Sequence, residues 1–459
     1  MTPAPPDRAS PDAPESAMFR RIWAIAWPTL LYNVLELSLG VADLLMVRGL
    51  GHEATAAIGL TRQIAFLLEA SALAVATGVI ALVSQGVGAG DRRQVEGVMH
   101  QGTRLVLVLS PPITLAGYLL SRPLLVAMQA DDAALAHAVP YLHIYFLGTV
   151  FLWGTVIPAA IFRGTGDAKT PLKLATVVAV LNVPLNYVFI FGAGPWAPMG
   201  VAGAAVGTVV ARAIGAGLYL TLLTRGTRHG RVGFRPLLGL DWPLIRRMLR
   251  VGMPPALAGV ARNGARVVYL GLLGAGALGA SMHAAAGVGL QVRLVSVLPA
   301  LAFQIATATL VGQAVGAGKL DRAEALGRRS VQLLSLIMAG VVALTFAFAR
   351  PLAALFIADA EVVPLAATVL RWFAVAQLFS SVSICVQGAL TGAGDTKPIL
   401  TYTMVTQWGL LLSLTFVALI VFGWEPEGPL AAWVAAPLVQ LFLMQRLFRS
   451  GRWKQRKRS

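Results

Sequence analysis

Apolar residues fill this chain in long runs, broken by short segments of Gly, Pro and charge, with little of the regular polar face that a water-facing helix shows. A helix needs about 20 apolar residues to cross a bilayer. The runs predict twelve spans, near 22–46, 54–84, 96–127, 135–161, 172–192, 200–224, 244–274, 279–312, 328–357, 362–389, 400–422 and 429–448. The fold expected is all-α and integral to a membrane.

Charge placement orients the spans. Connections after even-numbered spans carry Arg92 and Arg93, then Arg163, Lys169 and Lys173, then Arg225, Arg228, Arg231 and Arg235, then Lys319, Arg322, Arg328 and Arg329, and Lys397; the opposite connections hold little beyond Arg48, Arg122 and Arg350. By the positive-inside rule the even-numbered side is cytoplasmic, and so are both termini, with the ending Arg452, Lys454, Arg456, Lys457, Arg458 in agreement. The expected location is the inner (plasma) membrane.

Composition narrows the class further. Of 459 residues 57% are hydrophobic and 12% charged, against about 25% charged in soluble domains, so a wholly water-soluble protein is excluded. The formal charge of +17 points to no nucleic acid, because the basic residues sit between apolar runs and at the chain end. The lone cysteine, Cys385, forms no intramolecular disulfide and reads as a buried thiol. Residues 1–18, rich in Pro, Ala and Asp, read as a disordered tail without the apolar core of a signal peptide.

The chain also repeats itself. Gln85-Gly86-Val87-Gly88 closes the second span and Gln313-Ala314-Val315-Gly316 the eighth, 228 residues later. Gly164-Thr165-Gly166-Asp167-Ala168-Lys169 follows the fourth span and Gly392-Ala393-Gly394-Asp395-Thr396-Lys397 the tenth, at the same offset of 228. A weaker pair, Trp27-Pro28 and Met253-Pro254, stands 226 apart. Two unrelated motifs at one displacement indicate a duplication: an N-lobe over 19–226, a linker over 227–242, a C-lobe over 243–449 and a basic tail over 450–459. Six spans per half keep the halves parallel, related by a pseudo-twofold axis along the membrane normal, an arrangement of rocking transporters.

With these residues in place the chain resembles a multidrug and toxic compound extrusion (MATE) transporter over nearly its whole length. The resemblance rests on the paired Gly-x-Gly-Asp-x-Lys turns, the Gln-Gly closures, the stretch 41–47 around Asp43, and the stretches 181–192 and 200–205. It implies secondary active efflux of drug-like organic compounds, often cationic, in exchange for H⁺ or Na⁺, by a monomer without other cofactors or metal.

Acids inside spans are rare because a charge at mid-bilayer costs at least ~2.5 kcal/mol. Glu36 and Asp43, seven apart, share one face of the first span at ~10 Å along the axis. A carboxylate that is alternately wetted and desolvated can take up a proton in one state and release it in the other. The resemblance makes Asp43 the cation-coupling acid. Asn182 and Asn186, at i and i+4 in the fifth span, project two amides from one face that can hydrogen-bond a protonated carboxyl or a water chain, or bond helix to helix. By the resemblance, the place of Asn186 is commonly an aspartate in the DNA-damage-inducible branch, and the amide here is as in the Na⁺-coupled NorM-like branch. Glu36, with Tyr32 and Asn33, is expected to line the substrate cavity and attract a cation. Glu69 could extend the acidic wall, or be locked to Arg62 or another partner as a structural pair, the reading favoured here.

The second lobe differs. At the offset of 226, Asp43 corresponds to Tyr269 and Glu36 to Arg262, with Arg266 one turn on. Where the NorM-like branch of the family has an aspartate in the tenth span, Ser380 stands here. Tyr269, Arg262 and Arg266 are expected to face substrate, with the arginines pairing to Glu36 or Glu69 across the lobes or bonding local carbonyls. The missing acids favour H⁺ coupling through the first lobe, as in the DNA-damage-inducible (DinF-like) branch, over Na⁺. A lipid-linked sugar flippase, for which Arg262, Arg266 and Arg293 speak, and a passive channel or receptor are the rival readings. The six histidines lack metal-ligand spacing and no catalytic constellation is present, so an enzyme is not expected. The Gly-Asp-Lys turns, with Asp167, Lys169, Asp395 and Lys397, read as structural.

Overall fold

The computed structural model describes residues 15–227, 230–233, 239–276, 278–357, 359 and 361–455. The N-lobe comprises α1 (Glu15–Arg48), α2 (His52–Ala89), α3 (Arg92–Ala127), α4 (Asp132–Leu147), α5 (Thr149–Thr165), α6 (Lys169–Phe191) and α7 (Val201–Arg225). The C-lobe comprises α8 (Trp242–Gly274), α9 (Gly279–Ser296), α10 (Leu298–Gly316), α11 (Leu320–Ala347), α12 (Ala349–Phe356), α13 (Val363–Ala393), α14 (Lys397–Thr403), α15 (Leu412–Phe416), α16 (Glu427–Arg449) and the short α17 (Arg452–Gln455). Turns of π type, at Met404–Leu411 and Val417–Val421, make one rod of α14 and α15. Among the described residues there is no strand beyond isolated bridges at Ala193–Trp196 and Thr227–Gly230.

Ten of these rods are long and apolar enough to cross a membrane, and the pair α4 and α5, bent by 51°, makes an eleventh. The expected seventh span is α8, whose 33 residues reach ~50 Å. It falls short on apolarity: Arg262, Asn263 and Arg266 occupy its second half, and Arg246, Arg247 and Arg250 its first turns.

Several expected ends shift. Helix α1 begins at Glu15, so residues 15–18 of the expected disordered tail are helical; residues 1–14 lie outside the described residues. So do Arg228, Arg235, Arg456, Lys457 and Arg458 of the linker and tail. The described part of the linker is held down, Gln101 Nε2 donating to the Gly239 carbonyl at 3.0 Å and Arg104 donating to the same oxygen. In the basic tail the Lys454 Nζ meets Asp321 at 3.1 Å and Glu324 at 2.7 Å on α11. The first Gly-Asp-Lys turn caps α6, Asp167 accepting from the Lys169 and Thr170 amides at 3.1 and 3.0 Å.

The lobes meet at the end of the bundle that carries the basic loops. The near half of α1 is packed into the C-lobe core, where Ile22, Ile25 and Ala26 join Ala300, Phe303, Val311 and Val315. Its far half belongs to the N-lobe, Val47 clustering with Ala54, Ile58 and Ile190. Helix α2 lies against α8 and α10 across the interface. There Gly88 abuts the Gln313 backbone and Gly316 the Gln85 backbone, so closely that a Cβ on either glycine would collide with main chain. Small residues are what allow two helices this approach inside a membrane.

Candidate functional site

The polar site of the N-lobe grows from the 3.6-residue period of α6. Asn182 and Asn186 project from one face at i and i+4, and both are buried, at 2% and 0% exposure. Gly207 on α7 makes room for them, since a Cβ there would strike Asn186. Asn186 Nδ2 donates to Asp43 Oδ1 on α1 at 2.6 Å and to Asn182 Oδ1 at 3.1 Å, and Asn182 Nδ2 donates in turn to Thr208 Oγ1 at 3.1 Å. The structure thus brings Asp43, Asn182 and Asn186 into one chain of hydrogen bonds. Asn186 Oδ1 is buried and has no partner.

Arginines surround the acids. Arg212 on α7 lies 3.8 Å from Glu36 and also within electrostatic reach of Asp43 and Glu69. Arg163 stacks its guanidinium 4.1 Å from the Tyr32 ring centre. Arg62 lies over Gly40, one turn from Asp43. Acids and arginines thus share this part of the N-lobe, with Arg212 and Glu36 the pair that comes within 4 Å among the described residues. Glu36 is not the free negative wall the sequence suggested, because Arg212 of its own lobe opposes it. Among the described residues neither Arg262 nor Arg266 forms a cross-lobe ion pair with Glu36 or Glu69; their partners are Gln387 and Asn263. Glu69 accepts from the Tyr145 hydroxyl at 3.2 Å rather than serving Arg62. Asn33, next to Tyr32 on α1, has its Nδ2 buried without a partner.

In the C-lobe Tyr269 does not reach a cavity. It is fully buried, 4.5 Å from Trp433 between ring centres, and its hydroxyl donates to the Pro429 carbonyl at 3.1 Å. It packs helices together. Arg262 and Arg266, with Arg293, instead line a cleft shared with Gln377, Ser380, Gln440 and Trp433. Their protein partners are amides: Gln387 Oε1 at 3.3 Å for Arg262 and Asn263 Oδ1 at 3.3 Å for Arg266. Among the described residues no three of His, Cys, Asp and Glu gather as a metal site.

Sequence reasoning missed Arg212 and Thr208 as site residues. Arg212 had a signal, an ionisable residue within an apolar span, the same rarity that marked Asp43.

A two-lobed, all-helical membrane bundle with ionisable groups buried within its lobes defines a multi-pass membrane transporter. The MatE family model matches residues 28–188 and 270–417, and the chain belongs to this MATE family. It is similar to a probable multidrug resistance protein NorM of Thermotoga maritima, 27% identical over 436 residues that cover 94% of this chain and 92% of the relative. It is 29% identical over 437 residues to the multidrug resistance protein MdtK of Cronobacter sakazakii, covering 90% and 91% of the two chains. In fold it is similar to a solved outward-facing multidrug resistance MATE transporter of the MOP superfamily, with a TM-score of 0.88, 21% identity, and coverage of 96% and 97%. These relatives are transporters and not enzymes.

Proposed function

We propose that the protein is a multidrug efflux antiporter of the cell's inner membrane, a monomer with both termini cytoplasmic, exporting drug-like compounds in exchange for protons as the DNA-damage-inducible branch of the family does. The observation that carries the reading is the Asn186 amide. Its Nδ2 donates to Asp43 while its Oδ1 stays unpaired. An ionised carboxylate only accepts hydrogen bonds, whereas a protonated one also donates. The amide can therefore satisfy both forms of Asp43: Nδ2 serves the carboxylate, and on protonation a turn of the amide offers Oδ1 to the new O–H. That turn breaks the bond to Asn182 and reorders the α6–α7 face through Thr208.

The cycle follows from where the lobes touch. They are joined at the basic-loop end, which is the cytoplasmic end in this reading, so the site opens outward. A proton reaches Asp43 from outside, the α1 and α6 contacts rearrange, and bound drug leaves. Neutralising Asp43 also leaves its arginine neighbours in excess, a change of balance that the lobes relieve by rocking. Facing the cytoplasm, Asp43 gives up the proton and fresh drug enters.

Sodium coupling is the competing reading. It is disfavoured because the Nδ2 donor of Asn186 occupies the space between Asp43 Oδ1 and Asn182 Oδ1, the oxygens a cation would have to share. The test imposes a pH gradient and a sodium gradient separately on proteoliposomes and follows a fluorescent organic substrate. Accumulation with the pH gradient alone supports the proposal; accumulation with sodium alone overturns it.

A further inference from the structure

The three arginines of the C-lobe cleft are placed as no simple structural role requires. Arg262 and Arg266 come from one face of α8 at i and i+4, and Arg293 from α9, so two helices deliver like charges to one opening. Like charges this close repel one another, and the repulsion strengthens in a membrane interior of low dielectric. A neighbouring acid is the ordinary remedy, as Glu36 provides for Arg212 at 3.8 Å in the other lobe. Here, among the described residues, no carboxylate lies within 4 Å of any of the three, and the charged neighbours they sense are one another.

Their hydrogen-bonding capacity is also unspent. Each guanidinium carries five N–H donors, yet two amide oxygens, of Gln387 and Asn263, are the acceptors found for Arg262 and Arg266. The opposite wall is mixed. Gln377, Ser380, Gln407 and Gln440 supply amides and a hydroxyl, while Leu411, Trp433 and Pro437 supply apolar surface. Gln377 Oε1 is buried without a partner.

We propose that this cleft is an oxyanion-binding subsite, which takes the phosphate, sulfonate or carboxylate head of an amphiphile. Forked guanidinium donors match such oxyanions two bonds at a time. The substrate class of the pump is then amphiphilic anions or zwitterions rather than simple organic cations. That the occupant is exported rests on the transport reading above; that it binds does not.

The test is equilibrium binding of radiolabelled dodecyl phosphate to the purified full-length protein in neutral detergent, with no ion gradient. Dodecyl phosphate should bind saturably, and dodecyltrimethylammonium, with the same chain and the opposite charge, should not compete at equal concentration. Arg266→Gln and Arg293→Gln should each weaken binding at least about tenfold, a loss of ~1.4 kcal/mol. Because losing a buried arginine can disturb folding, Ser380→Asp supplies an independent reading: it removes no cation, adds a carboxylate to the cleft, and should weaken binding about tenfold in a protein that elutes as the wild type does. Because binding is read with no ion gradient, failed proton coupling and failed anion binding are told apart. In nanodiscs, competition by phosphatidylglycerol but not phosphatidylcholine identifies a lipid headgroup as the natural source of the oxyanion, and absence of competition a soluble substrate. Equal competition by the ammonium amphiphile, or wild-type affinity in both Arg266→Gln and Ser380→Asp, overturns the proposal.

Discussion

Gln85 and Gln313, which occupy equivalent places in the two halves of the chain, each reach across the lobe interface to the glycine turn of the other half. Gln85 Nε2 donates to the Gly392 carbonyl at 2.9 Å and Gln313 Nε2 to the Gly164 carbonyl at 3.4 Å. Thr309 adds a bond to the Arg163 carbonyl at 3.1 Å. The duplicated motifs thus form a reciprocal latch at the basic-loop end, with Gly88 and Gly316 allowing the backbones to touch.

Removing the latch should favour the opposite-facing state. Each bond is worth about 1 kcal/mol, so the Gln85→Ala/Gln313→Ala double variant should shift the ratio of the two states by roughly thirtyfold. Spin labels on the basic loops of the two lobes report this as a longer distance between them. An unchanged distance distribution argues against a latch.

Arg212 should matter through the acids it opposes. Arg212→Gln leaves Glu36 and Glu69 without their shared cation, and transport should fall by about tenfold or more, equivalent to ~1.4 kcal/mol, with a lower melting temperature. Adding Glu36→Gln should recover part of both losses. A double variant no better than the single one would show that Arg212 acts on something other than Glu36.

Asn186→Asp replaces the Nδ2 donor between Asp43 and Asn182 with an oxygen. The wild-type protein should be indifferent to sodium, and this variant should acquire sodium-stimulated transport, measured as substrate efflux with and without a sodium gradient. Failure of Asn186→Asp to respond to sodium would remove the argument that the amide donor is what excludes the cation.

Lys454 is stabilised in its charged form by the hydrogen bonds it gives to Glu324 and Asp321, which raise its pKa above the ordinary lysine value. A raised lysine pKa contributes stability that is complete below the unfolded-state value of about 10.4 and fades as pH rises through the higher folded value. Lys454→Ala should therefore cost under about 1 kcal/mol, equally at pH 6 and pH 9, with transport unaffected. A pH-dependent loss between 6 and 9 would contradict this.

The sequence made the repeat, the helical rods and the buried acids legible because period, offset and the rarity of buried charge are properties of residues along a line; the coupling role proposed for Asp43 came from the family resemblance, and its bond to Asn186 only from the packing of α1 on α6. What it left open depends on how rods turn toward one another. Tyr269 holds the place equivalent to Asp43, yet α8 turns it into the core against Trp433. Glu36 carries a charge whose meaning is set by Arg212, a residue 176 positions away whose approach no local pattern encodes. Arg262 and Arg266 were visible as a pair, but that Arg293 joins them in one cleft emerges only when α9 packs on α8.

Proton exchange at Asp43 is most directly tested by Asp43→Asn in proteoliposomes, read in two modes on the same vesicles. Substrate counterflow, which needs the lobes to rock but no proton, should persist, while uptake driven by an imposed pH gradient should vanish. Gradient-driven uptake at the wild-type rate in Asp43→Asn would contradict the account.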